Sequence, residues 1–119
     1  MNKHMIVSLF HIFLVVPIFL YIAFQRAGTP IPVYHAMIAI GAIILIYHGY
    51  KAYIRLAAGS PYAWVNLIHV LFIAPLLIYI GVKGKDTPRA SYEILAMVGF
   101  AALGYHLYSI VRNMMLEDD

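Results

Sequence analysis

The sequence predicts an all-α fold: an integral membrane four-helix bundle built from two tandem helical hairpins. Three observations carry that prediction. The 119-residue chain is 64% hydrophobic and only 11% charged, with a mean hydropathy of +0.85, which lies outside the range of soluble globular domains. Four apolar stretches reach the roughly 20 residues a helix needs to cross a bilayer core. The chain is also written twice: residues 8–56 align without a gap onto 66–114, at a constant offset of 58, with 13 of 49 positions identical. A repeat this regular fixes an architecture. The expectation is one membrane domain over residues 1–119, with repeat 1 at about 3–58 and repeat 2 at about 61–115.

The spans are expected near residues 5–24, 33–54, 62–82 and 91–111. Helices are the expected form because lipid cannot satisfy free backbone groups and no alternating strand pattern is present. Lys3 ahead of an apolar run looks like a signal peptide. The run is too long for a signal core, however, and it aligns with the third, internal span, so it is read as retained. Thr29-Pro30, Ser60-Pro61 and Thr87-Pro88 each put a capping hydroxyl before a proline, as at a helix start. Gly59 is placed to end the second helix. Short loops make successive helices antiparallel, so both copies insert with one orientation, related by a pseudo-two-fold along the membrane normal. Both termini then share a side. Lys3, Lys51, Arg55 and Arg112 face one surface and Arg26, Lys83, Lys85 and Arg89 the other. That four-to-four tie gives the positive-inside rule nothing to weigh.

Composition also excludes. Without cysteine there is no disulfide or thiolate chemistry. The net charge of +3 comes from scattered residues, and with no basic cluster or phosphate loop neither nucleic acid nor nucleotide is an expected partner. No nucleophile–base triad or carboxylate pair supports a hydrolase. Glu117, Asp118 and Asp119 read as a solvated end.

The identical positions are chemically selective: His11/His69, Pro17/Pro75, Tyr21/Tyr79, Thr29-Pro30/Thr87-Pro88, Tyr34/Tyr92, Gly41/Gly99 and Tyr47-His48-x-Tyr50/Tyr105-His106-x-Tyr108. Most tyrosines fall at span ends, as in an aromatic belt. Tyr47 and Tyr105 lie deeper, beside histidines, and are expected to hydrogen-bond inside the bundle. Pro17 and Pro75 interrupt their helices and favour kinks, which shape packing or open room beside the histidines.

Helix geometry turns the repeat into a candidate site. His11 lies about 13 Å along its helix and His48 about 16 Å from the matching end of the next, so the two share a depth. His69 and His106 repeat the arrangement, giving one imidazole per helix in a single layer. Gly41 and Gly99 stand seven residues before His48 and His106, at nearly the same azimuth. Small residues on that stripe imply that it faces a neighbouring helix or a bound group. Ionisable groups within a membrane span point to function. An all-imidazole set without thiolate suits a metal ion (zinc, copper, iron or nickel) or a single bis-histidine haem b, in a module serving electron transfer. Two other readings stand beside it. The histidines relay or gate protons in a small, oligomeric proton or ion conductor, or they are interhelical hydrogen-bond glue. His35 and Glu93 form a further aligned ionisable pair, about 140° away from the histidine stripe. They are expected either to bond to each other near the opposite surface or to be solvated at the headgroups.

The phrases "HVLFIAPLLIYIG" and "LGYHLYS", echoed by "HIFLVVPIFLYIA" and "LIYHGYK", resemble small uncharacterised multi-pass proteins encoded by large DNA viruses of algae. The resemblance implies a viral or host-membrane setting and supplies no activity.

Overall fold

A computed structural model describes residues 2–118, with side chains through Leu116; the side chains of the acidic end lie outside the described residues. No strand occurs among the described residues. Four helices are long and apolar enough to cross a membrane: α1 (Lys3–Gly28), α2 (Ile31–Ala57), α3 (Ala63–Asp86) and α4 (Arg89–Leu116). Each runs a few residues past the C-terminal end of the apolar stretch that predicts it.

The chain divides into two compact units. One comprises Met1–Arg26 and Pro88–Asp119, the other Ala27–Thr87. In the first unit α1 packs on α4, and in the second α2 packs on α3. Each unit therefore joins a helix from the first half of the chain to one from the second half.

In the second unit, Tyr34, Met37 and Gly41 of α2 are buried, as are Ala74, Leu77, Ile80 and Gly81 of α3. Glycine sets their separation. A Cβ on Gly81 would lie 2.7 Å from the Tyr34 carbonyl oxygen and 3.0 Å from the Ile38 nitrogen. One on Gly41 would lie 3.2 Å from the Ala74 carbonyl oxygen. Backbone touches backbone here, which only small residues permit. Tyr34, Gly41, His48 and Arg55 are spaced by seven, so they form one stripe along α2. In the first unit Tyr92, Gly99, His106 and Asn113 repeat that spacing on α4, and Gly99 faces Phe19 and Leu20 of α1.

The prolines act through helix type. His11–Val15 and His69–Ile73 are π-helical, so the N–H of Val16 bonds the His11 carbonyl and that of Ala74 bonds the His69 carbonyl. Pro17 and Pro75 follow in the next α-helical turn. A π turn absorbs one extra residue just where proline removes a backbone donor. It also keeps each histidine on the face of the residue five positions later: Val16 and Ala74 are both buried.

The connections correct part of the sequence reading. Gly59, with φ +68, ends α2 as foreseen: its N–H bonds the Leu56 carbonyl, and the Ser60 N–H bonds that of Arg55, the paired closure of a left-handed C-terminal cap. The threonines, by contrast, are not N-caps. Pro30 occupies the cap position of α2, with no side-chain cap. Thr87 Oγ1 instead donates back to the Gly84 carbonyl at 2.6 Å, and Thr29 Oγ1 is buried with no partner among the described residues. Proline holds the preceding residue extended, so the helix starts a residue later than the hydroxyl can reach. Lys85 Nζ donates to the carbonyls of Ala27 and Thr29, tying the two turns of this unit together.

Arg26 and Gly84, 58 residues apart, share one backbone conformation (φ 52, ψ −127 and φ 57, ψ −130). That region suits glycine and strains arginine. Arg26→Gly is therefore expected to stabilise the detergent-solubilised protein by about 1 kcal/mol, read as a higher melting temperature. Gly81→Val is expected to cost about 2 kcal/mol or more by forcing α3 off α2. Gly49→Ala, where a Cβ meets nothing within 4 Å, is the control that should not lower the melting temperature.

Candidate functional site

Each unit brings two of the four candidate histidines face to face. In the second unit the rings of His48 and His69 stack at a centroid distance of 4.1 Å and an interplanar angle of 14°. In the first, His11 and His106 stack at 4.3 Å and 20°. All four are half-buried. Each pair takes one ring from a π-helical segment and one from a seven-residue stripe. The stripe glycines Gly41 and Gly99 face the partner helix of their own pair.

The partners at Nδ1 determine where each proton sits. His69 Nδ1 lies 2.6 Å from the Val65 carbonyl oxygen, and His11 Nδ1 lies 2.8 Å from that of Val7. A carbonyl can only accept, so both rings carry hydrogen on Nδ1, and when neutral their lone pair is on Nε2. His48 is the opposite case. Its Nδ1 lies 2.8 Å from Asn66 Nδ2, and Arg55 Nη1 donates to Asn66 Oδ1 at 2.7 Å. A guanidinium has no acceptor, so it fixes which end of the amide is oxygen. Asn66 therefore donates to His48, which keeps its hydrogen on Nε2. His69 therefore carries hydrogen on Nδ1 and His48 on Nε2, which are opposite tautomers when both rings are neutral.

The first unit has a softer version. His106 Nδ1 lies 3.3 Å from Ser8 Oγ, and a hydroxyl can serve as donor or acceptor. Ser8 and Asn66 are 58 residues apart, and both are buried, at 2% and 3% exposure. Arg55 corresponds to Asn113, whose amide donates to the Ser109 carbonyl and accepts from Asn2.

Ser8, Asn66 and Arg55 were not singled out from the sequence. A signal was present: Ser8 and Asn66 each precede a histidine by three residues, and Arg55 follows His48 by seven, which places them on the histidine faces. They escape an identity-based comparison because each differs from its counterpart.

The other candidates sit at the margins. Tyr47 and Tyr105 meet the adjacent His48 and His106 edge-on, at 5.1 and 5.2 Å, and are about half exposed. Pro17 and Pro75 are exposed, as is His35. Glu93 pairs with Arg89 one turn earlier at 2.9 Å. Among the described residues no group of three or more His, Cys, Asp or Glu side chains is arranged to hold a metal ion. Comparison with family models, curated proteins and solved structures finds no match to this chain.

Asn66 bonds both Arg55 and His48, so Asn66→Leu should destabilise the protein by about 1–3 kcal/mol through the unsatisfied groups it leaves. Ser8→Ala removes one long bond and should cost less. Denaturation of both variants in detergent checks the order.

Proposed function

We propose that this chain is a small multi-pass membrane protein, a tandem duplication inserted with both termini on one side of the bilayer, whose paired histidines handle protons within the membrane. The observation that carries the reading is the pair of Nδ1 contacts, from the Asn66 amide to His48 and from His69 to the Val65 carbonyl. They put the hydrogen of His48 on Nε2 and, when His69 is neutral, its lone pair on Nε2, so the pair combines one proton donor with one acceptor. Imidazole is the side chain suited to this task, because it exchanges protons near neutral pH and can take one up at one nitrogen while releasing another. Ionisable groups placed in membrane spans at an energetic cost commonly serve proton pathways. In this reading water delivers a proton to His48 Nδ1, the ring releases the one on Nε2, and water carries it from the edge of one ring to the Nε2 lone pair of the other, because the N–H bonds of stacked rings lie in the ring planes and do not point at each other.

A second reading, a bound transition metal ion, is favoured by one specific observation. His11 and His69 each donate Nδ1–H to a backbone carbonyl, the arrangement that orients metal-ligating histidines. His48 does not fit it as the Asn66 amide stands, because its hydrogen is on Nε2. Nor do two rings 4.1 Å apart leave space for a haem between them.

Reconstitution into liposomes containing a pH-sensitive dye tests the proposal. Wild-type protein should conduct protons, and His48→Ala or His69→Ala should lower the flux by about 100-fold, the low end of what a positioned acid–base group contributes. Stoichiometric metal by elemental analysis, abolished by His69→Ala, favours the second reading. A metal-free, non-conducting preparation whose alanine variants differ only in melting temperature overturns both, leaving the histidines as ties between helices.

A further inference from the structure

We infer that Asn66 is a proton-coupled latch: a proton on His48 Nδ1 and the Arg55–Asn66 hydrogen bond exclude each other, so protonating this ring releases the guanidinium. The inference deepens the proton-handling reading and rests on it. Arg55 donates to Asn66 Oδ1 and Asn66 Nδ2 donates to His48 Nδ1, so the amide is read by one group that can only donate and one that now only accepts. When His48 takes a proton at Nδ1 that nitrogen becomes a donor, and two donors then face each other. The amide satisfies the imidazolium only by turning its oxygen toward it. That turn presents the NH₂ to the guanidinium, which has no acceptor, and the Arg55 bond is lost.

The surroundings sharpen the exclusion. On α3 the titratable side chain of His69 stacks on His48. On α2 itself, Tyr47 meets it edge-on, and Lys51 and Arg55 follow within two turns. Asp86 is the single carboxylate in residues 27–87, and it is the last residue of α3, at the end far from His69. A proton arriving at His48 thus enters a region already holding cationic side chains and no local acid from its own unit. Asn66 is 3% exposed, which leaves water little access to relieve mismatched donors.

The first unit shows what lacking the latch looks like. Ser8 stands where Asn66 does and Asn113 where Arg55 does. The Ser8 hydroxyl reverses by rotation about one bond, and Asn113 is engaged elsewhere. His106 can accept a proton at Nδ1 without breaking a second bond. The two pairs are therefore inequivalent: the His48 pair is gated, the His106 pair is not.

Nitrogen-15 magnetic resonance of the full chain in bilayers tests this without relying on transport. At neutral pH His48 should show hydrogen on Nε2. On lowering the pH from about 8 to about 5, the Arg55 guanidinium signals should shift in step with the His48 ring. Asn66→Ser, which imports the chemistry of the other unit, should abolish the Arg55 shift while His48 still titrates. Should that variant fail to fold, Arg55→Met serves: His48 should lose its tautomer preference. Hydrogen on His48 Nδ1 at neutral pH, or Arg55 signals indifferent to His48 in the wild type, would overturn the latch. Coupled signals in a protein that conducts no protons would uphold the latch and remove the relay. Proton flux without coupled signals would do the reverse.

Discussion

An imidazole among aliphatic side chains carries two nitrogens and, when neutral, one hydrogen, and whatever meets Nδ1 decides which nitrogen keeps it. Much of the architecture around the paired rings is organised by that constraint. Val7 and Val65 offer carbonyls one turn before His11 and His69. Asn66 and Ser8 reach across to His48 and His106 from the helix packed against each. For those reaches to close, helices must approach nearly to backbone contact, and glycines at 41 and 81 permit it between α2 and α3. The π-helical turns at His11 and His69 add the residue needed to keep ring and core on one face.

The two units satisfy the same constraint with different stringency. The Arg55–Asn66–His48 chain is directional from end to end, because the guanidinium admits one orientation of the amide. The Ser8–His106 contact is longer and reversible in sense. Different residues at two positions 58 apart, Asn66 against Ser8 and Asn113 against Arg55, thus separate a rigidly polarised pair from an adaptable one. Bonds of this kind contribute modestly to net stability when made and cost more when broken inside an apolar setting. The polarised unit is accordingly the one where a single substitution has larger consequences.

Much of this was legible in the sequence, for identifiable reasons. Hydropathy alone marks four long helices, and Gly41 and Gly99 on the histidine azimuth already imply a stripe turned toward another helix. Which helix meets which was not legible. Alternating up-and-down helices bring either neighbour within reach, so the stacking of His48 on His69 and of His11 on His106 is not contained in the hairpin logic. A strict 3.6-residue period also hides the π turns, since it does not put His69 and Ala74 on one face. The threonine–proline pairs looked like caps because the local signal is the same; their hydroxyls turn backward once proline delays the helix start. Arg26 carries no turn signal of its own, and only the glycine 58 residues later hints at its positive φ.

The tautomers, the Asn66 bridge and the proton chemistry all depend on the stacked pairs, and a distance measurement reaches these directly. Magic-angle-spinning spectra of protein carrying ring-labelled ¹³C-histidine in bilayers, in a His4→Gln/His35→Gln background, report which imidazoles lie within about 5 Å, the spacing of paired aromatic rings. Ring-to-ring cross-peaks are expected between His48 and His69 and between His11 and His106. Their absence, with the helices otherwise intact, would rule out the stacked pairs.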